Sequence, residues 1–196
     1  MSWKDMIPTS GVANCHVKGL SSVRFDDDTR MFVAQTWTPL AANFFGDVVG
    51  FHNHHRAIEL KVVRGKILNV TASDDNLGVP SPFTYKPWHW KSRLRGGSGS
   101  FVRDYSNHGH LAAEMSVTPL THGGPTYFLK PEGLHTVVQL TKVAAWFVKE
   151  SGESTGDPTR NWSVHDLSKW DSEKEMYQPM TSEAVRKLWA SITGGS

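Results

Sequence analysis

The sequence is poor in cysteine, in long apolar segments and in any excess of charge of one sign. Its single cysteine, Cys15, excludes an internal disulfide and fits a reducing compartment. No segment approaches the roughly 20 apolar residues that a membrane-spanning helix needs, and the amino-terminal residues lack the apolar stretch of a signal peptide. These absences predict a soluble, cytoplasmic protein.

The charge balance gives little support to nucleic-acid binding. The chain has 21 Lys and Arg against 19 Asp and Glu, and it has no basic run that could follow a phosphate backbone. Residues 85–95 combine Trp88 and Trp90 with nearby Lys and Arg, which are the ingredients of a stacking groove. Nucleic acid is therefore the weaker alternative, and a small molecule is the expected partner.

What the chain does contain is a succession of short apolar segments. They are rich in Val, Phe, Tyr and Thr, as strands are, and Gly, Pro, Asn and Asp separate them. A length of 196 residues suits one domain. Many short strands at close spacing predict an all-β sandwich or barrel. The clearest segments are residues 31–35, 60–63, 67–70, 101–105, 126–129, 134–140 and 143–148.

Three regions depart from this pattern. Residues 73–100 are irregular and rich in Pro and Gly, which is typical of a functional or mobile loop. Residues 151–161 form a polar linker, and residues 182–192 predict a short amphipathic helix with Ser182 as N-cap. Val185, Leu188 and Trp189 share one helical face, which we expect to pack on the barrel. We therefore predict a β domain over residues 1–150, with an insertion at about 73–100, and a linker and helix over 151–196.

The strongest functional signal is a histidine pair followed by a carboxylate. His52 and His54 are two positions apart, so in a strand both imidazoles point to the same side. Imidazole is a common ligand for divalent metals. Glu59 heads the apolar segment 60–63, where a carboxylate is costly to bury unless it is paired or metal-bound. A turn or bulge near His55 and Arg56 would bring Glu59 to the same side; otherwise Glu59 points to solvent.

These residues resemble the first cupin motif. Gly46, five residues, His52-Asn53-His54, four residues, Glu59, five residues and Gly65 follow its frame. The family usually has six residues before the last Gly. The string HNHHRAIE, residues 52–59, is similar to the germin-type version of the motif.

A second cupin motif should follow with one more histidine. Gly124 and His135 keep its spacing, whereas the turn at residues 131–133 is shifted by one position and Gln139 replaces the usual Asn. Together the motifs imply a cupin fold, a double-stranded β-helix or jelly-roll barrel with a short C-terminal helical extension. The resemblance covers about residues 44–148.

The resemblance also implies a metal centre and an activity. His52, His54, Glu59 and His135 would bind a divalent ion, with Fe(II) favoured and Mn, Ni or Zn as alternatives. A non-haem iron dioxygenase acting on a small polar molecule is the favoured function, loosely similar to the cysteine-dioxygenase-like cupins. A metal-dependent isomerase, lyase or epimerase and a non-catalytic small-molecule-binding cupin stay open, since a fold does not fix a function.

Substrate-side residues are indicated less sharply. Arg103 lies in a predicted strand and could clamp an anionic group. Tyr105 and Tyr127 could offer a phenol to a bound oxygen species, although a tyrosine at such a position is more often a hydrogen-bonded core residue. Cupins often dimerise through exposed strand edges, so a homodimer is a further expectation. Softer candidates are His89, His108, His110 and the arginines Arg56, Arg64, Arg93 and Arg95.

Overall fold

The computed structural model describes most of the chain in eight segments. These are residues 3–15, 19–35, 50–72, 86–91, 100–103, 115–156, 160–163 and 177–194. For residues 86–91, 100–103 and 160–163 the course of the backbone is described, and it is sufficient to define three strands and their partners.

Two antiparallel sheets make up the described structure. The strands of sheet I are β1 (Ser10–Ala13), β2 (Leu20–Arg24), β3 (Thr29–Ala34), β5 (Ala57–Arg64), β10 (Tyr127–Leu129), β12 (Ala144–Ser151) and β14 (Gln178–Pro179). Those of sheet II are β4 (Phe51–His52), β6 (Lys66–Ala72), β7 (Lys86–Lys91), β8 (Ser100–Arg103), β9 (Met115–Thr121), β11 (Leu134–Gln139) and β13 (Arg160–Ser163). Sheet I has the strand order β10-β5-β12-β3-β2-β1-β14, and sheet II has the order β8-β7-β13-β4-β11-β6-β9.

The inner faces of the two sheets share one apolar core. Along β5, Ile58 and Leu60 are buried and alternate with more exposed residues, as expected of a strand with one face inward. They pack with Trp146 of β12 and with Ile67 and Leu120 of sheet II. The predicted β-rich architecture is therefore confirmed, while its closure into a barrel stays a prediction.

The α-helix α1 (Ser182–Thr193) covers the opposite face of sheet I. Its buried residues Val185, Leu188 and Ile192 belong to a second apolar cluster with residues of β2 and β3. Trp189, which is partly buried, packs against Phe25 with ring centroids 5.1 Å apart. The amphipathic pattern arises because one side of the helix fills this face. In the described part of the chain, no helix combines the length and the apolar character needed to cross a membrane.

The helix covers the predicted residues, but its N-cap is one residue earlier than predicted. Thr181, not Ser182, is the N-cap: its backbone is extended, and its Oγ1 accepts a hydrogen bond from the backbone N–H of Ala184 at 3.2 Å. Both residues carry a hydroxyl, so the N-cap is the residue whose backbone is still extended just before the helix begins.

Replacing Thr181 with alanine is expected to lower the free energy of unfolding by about 1 kcal/mol, because an N-terminal N–H of α1 loses its acceptor. Ser182→Ala is the matched control and is expected to change it by less than about 0.5 kcal/mol. Urea unfolding of both variants checks this. Equal losses in the two variants would assign the capping role to neither hydroxyl.

Two segments predicted to be irregular contain strands. Residues 86–91, within the expected loop, form β7 and pair with β8 and β13. The expected linker at 151–161 contains the start of β13 (Arg160–Ser163), which pairs with both β7 and β4. Both strands are short and are defined by partners distant in sequence, so local composition gave little indication of them.

Candidate metal centre

The short strand β4 places the first predicted ligand beside the third. His52 lies directly opposite His135 of β11 in the antiparallel ladder, and the two ring centroids are 4.8 Å apart. Side chains of directly opposed residues in such a pair stand on the same face of the sheet and touch. On its other side, β4 pairs with β13, where Asn161 lies opposite His52.

His54 joins this pair from the segment that follows β4. Its backbone N–H donates to the carbonyl of Pro131 at 3.2 Å, which ties it to the turn preceding β11. Its ring centroid lies 5.0 Å from that of His52 and 5.1 Å from that of His135. The two halves of the site, far apart in sequence, are therefore held together by backbone hydrogen bonds as well as by their side chains.

The three imidazoles satisfy the geometric requirement of a metal site. Ligand atoms of His52, His54 and His135 all lie within 4.8 Å of one another. The Nε2 atoms of His54 and His135 are 2.9 Å apart, close to the roughly 3.0 Å expected of two ligands at about 2.1 Å from one ion and about 90° apart. The structure thus brings together the three histidines that the sequence predicts, and the donor set fits a divalent ion.

Burial keeps His52 in the form that binds metals. His135 is 3% exposed. Burial lowers the pKa of His52 from 6.5 to about 4, although a hydrogen bond with the backbone of Gly50 acts in the opposite direction. Metal ions bind the neutral imidazole, so His52 is ready to act as a ligand at neutral pH.

The lowered pKa of His52 predicts how stability changes with pH. Between pH 6.5 and about 4, the unfolded chain binds a proton at His52 that the folded protein excludes. Stability is therefore fully present above pH 6.5 and decreases as the pH falls towards 4, by at most about 3 kcal/mol from this group. Urea unfolding of the metal-free protein should show this loss. His52→Gln should show a smaller one, and parallel pH profiles would contradict the assignment.

Asn69 is a site residue that the sequence analysis did not identify. It lies in β6, is fully buried, and its Oδ1 atom is 2.7 Å from Nδ1 of His135. A signal was present, since Asn69 is the one polar residue of the apolar segment 67–70 and a buried amide requires a partner.

Glu59, in contrast, is not brought to the imidazoles. It lies in β5 of sheet I and alternates with Ile58 and Leu60, whose side chains face the inner core. Its neighbours across the strands are Phe128 and Lys149, on the outer face. The chain passes from sheet II to sheet I between His54 and Ala57, and this change of sheet leaves Glu59 on the far side of β5.

The structure describes only some of the predicted substrate-side residues. Tyr127 lies in β10 and is partly buried against the inner core, so it is on the same side of sheet I as the centre. Arg103 is the last residue of β8, paired with Trp88 of β7. His89 lies in β7 beside Trp88. Tyr105, His108, His110, Arg93 and Arg95 lie outside the described residues.

Two further arginines have partners elsewhere. Arg56 forms an ion pair with Asp28, with Nη1 2.7 Å from Oδ1. Arg64 donates from Nη1 to the carbonyl of Ser191 in α1 at 2.7 Å. Both side chains connect sheet I to its surroundings, and neither contacts the three imidazoles.

The remaining residues of the second predicted motif form turns. Gly133 donates its N–H to the carbonyl of Lys130 at 3.0 Å, and a Cβ there would meet Cδ1 of Leu129 at 2.7 Å. Gln139 is buried and donates to the carbonyls of Thr141 and Lys142 at 2.6 and 3.0 Å. The shifted turn therefore still leads into β11, and Gln139 stabilises the loop after it.

Comparisons with known proteins give structural neighbours only. Neither a protein-family model nor a curated protein matches the sequence. Hydroxypropylphosphonic acid epoxidase from S. wedmorenis is similar with a TM-score of 0.39 and 12% identity, over 74% of this chain and 57% of that one. For hydroquinone 1,2-dioxygenase from a Sphingomonas species the values are 0.34 and 10%, over 66% and 62%.

A third neighbour is a variant of the L-ribose isomerase from an Acinetobacter species. Its TM-score is 0.36 at 12% identity, over 91% of this chain and 88% of that one. The chain spans only 57% of the epoxidase and 62% of the dioxygenase.

Proposed function

We propose that this protein is a metal-dependent enzyme in which His52, His54 and His135 bind one divalent ion. The observation that supports the proposal is the convergence of three imidazoles within 4.8 Å. Two of these residues come from one segment and the third from a distant strand. A chance grouping of histidines would have no reason to share a ladder pair and a backbone hydrogen bond between the segments.

The proposal includes a cupin fold. What supports it is that His52 of the first motif lies opposite His135 of the second, on the adjacent strands β4 and β11, and that His54 follows β4. A closed jelly-roll barrel, a cytoplasmic location and a homodimer belong to the same proposal. Size-exclusion chromatography with light scattering tests the dimer, because a monomeric mass at micromolar concentration would exclude it.

The favoured reaction is the oxidation of a small polar molecule by dioxygen with Fe(II) bound. Three neutral imidazoles occupy half of a six-coordinate shell and leave adjacent positions open. Iron there would supply both Lewis acidity and redox chemistry. The protein holds the three ligands in fixed directions, excludes bulk water from His135, and keeps His52 unprotonated.

Oxygen consumption tests this reaction. The Fe(II)-loaded protein is expected to consume dioxygen, measured with an electrode, in the presence of at least one member of a panel of small thiols, phenols and organic acids. His135→Ala treated in the same way should show only the background rate. Conversion that continues under argon would instead favour the isomerase, lyase or epimerase alternative. Binding without conversion would favour a non-catalytic cupin.

A further inference from the structure

Among the described residues, the side chain of Asn69 makes one hydrogen bond, to His135. Its side chain is on the inner side of β6, with Ile67 two positions before it, and it is completely buried. The Oδ1 atom lies 2.7 Å from Nδ1 of His135. Within the described residues, its Nδ2 atom meets no hydrogen-bond acceptor.

This arrangement lowers the stability of the folded protein. A buried N–H without a partner costs about 1–3 kcal/mol, and an apolar side chain at this position would avoid that cost. The surrounding inner face is apolar at Ile67 and Val137. The contact with His135 is therefore the feature that an amide supplies here and an apolar residue would not.

The contact also fixes which nitrogen of His135 carries the proton. A carbonyl oxygen only accepts hydrogen bonds, so Nδ1 of His135 must be the donor. In a neutral imidazole the other nitrogen, Nε2, then carries the lone pair that can bind a metal ion or accept a hydrogen bond. That atom is the one that lies 2.9 Å from Nε2 of His54, at the centre of the histidine group.

We propose that Asn69 is a positioning residue that holds His135 as the Nδ1–H tautomer while leaving the centre cationic, so that the bound metal selects an anionic ligand. The inference rests on the proposed metal site and deepens it. Asn69 is neutral, and among the described residues no carboxylate belongs to the ligand group. The three imidazoles themselves neutralise neither charge of a divalent ion, so the ion they hold would attract a carboxylate, enolate or phenolate.

Two substitutions separate the two parts of this proposal. Asn69→Asp keeps an acceptor for Nδ1 but adds a negative charge, whereas Asn69→Leu removes the acceptor. Thr118→Val controls for a change in the packing beside Asn69, since Thr118 lies opposite Asn69 on β9, on the side of β6 away from β11 and His135. The measurements are Zn(II) affinity by chelator competition, and azide affinity from the visible spectrum of the Co(II)-loaded protein.

Asn69→Leu is expected to weaken Zn(II) binding by about 10–100-fold, as the loss of a hydrogen bond to a metal-ligating histidine does. Asn69→Asp should bind Zn(II) at least as tightly as wild type but bind azide about tenfold more weakly or worse. Thr118→Val should leave both affinities within about twofold. Unchanged Zn(II) affinity in Asn69→Leu, or unchanged azide affinity in Asn69→Asp, overturns the corresponding part.

Nitrogen-15 NMR of the metal-free wild type gives a test that needs no variant. It should show His135 protonated at Nδ1, and protonation at Nε2 overturns the proposal even if Asn69→Leu fails to fold. A wild-type protein that binds no metal would instead refute the metal site itself, so the two failures are distinguishable.

Discussion

Replacement of His135 with alanine is expected to reduce the metal content from about one ion per chain to none. The imidazole of His135 belongs to the most buried residue of the group and links its two halves. Losing a group that merely orients a ligand already costs about 10–100-fold in affinity, so loss of a ligand should cost at least about 100-fold. Elemental analysis of tag-free protein by mass spectrometry, with isothermal titration of the metal-free form, measures both quantities.

Suitable controls are present in the same chain. His55 and His122 are exposed histidines outside the group, so their alanine variants should retain wild-type metal content. Glu59→Gln should retain it too, because Glu59 lies on the outer side of β5. His135→Ala also removes the partner of Asn69, at a cost of about 1–3 kcal/mol, so circular dichroism must show that it is folded. Stoichiometric metal in a folded His135→Ala protein would refute the site.

The second large effect is expected at Gly65, where alanine should destabilise the fold by about 2–5 kcal/mol. Gly65 connects β5 of sheet I to β6 of sheet II and has φ of +71°. A Cβ atom there would lie 2.3 Å from both Thr141 Oγ1 and the carbonyl oxygen of Val143. The neighbouring loop has little freedom to move, since Thr141 Oγ1 also accepts from the N–H of Lys66 at 3.0 Å.

Gly123 provides the matched comparison for Gly65. Its φ is similar, at +79°, but a Cβ there would meet nothing within 4 Å. Gly123→Ala should therefore cost only the backbone strain, about 1 kcal/mol. Thermal and urea unfolding of both variants gives the difference. Gly65 precedes the first residue of β6, whereas Thr71, which is paired with His135, lies near the other end of that strand. Gly65→Ala protein that folds should therefore retain its metal.

Much of the fold could be predicted because buried and exposed residues alternate along its strands. The segments predicted at residues 60–63 and 143–148 became the longer strands β5 and β12, which pair over most of their length. The predicted helix differed from the observed one mainly in its cap. In contrast, β7 and β13 depend on partners that only the folded chain provides, and composition favoured a loop and a linker there.

The site was predictable to the extent that its ligands followed a spacing. His52 and His54 share a side by strand geometry, and His135 was reached through the cupin resemblance rather than through any local pattern. The position of Glu59 depends on where the chain passes from sheet II to sheet I. The sequence allowed either a bulge, which would turn Glu59 towards the histidines, or a position in which Glu59 points to solvent. Asn69 was missed because its role depends on a contact made across 66 residues of sequence.

The position of β4 between β11 and β13 has a consequence for the order in which the protein is assembled. The strand that carries His52 is only two residues long, and its partners His135 and Asn161 both come from much later in the chain. During synthesis on the ribosome, β4 would remain without its first neighbour, β11, until about residue 139 had emerged, and without its second, β13, until about residue 163. We therefore expect the metal centre to form late in folding, with slow kinetics dominated by non-local pairing.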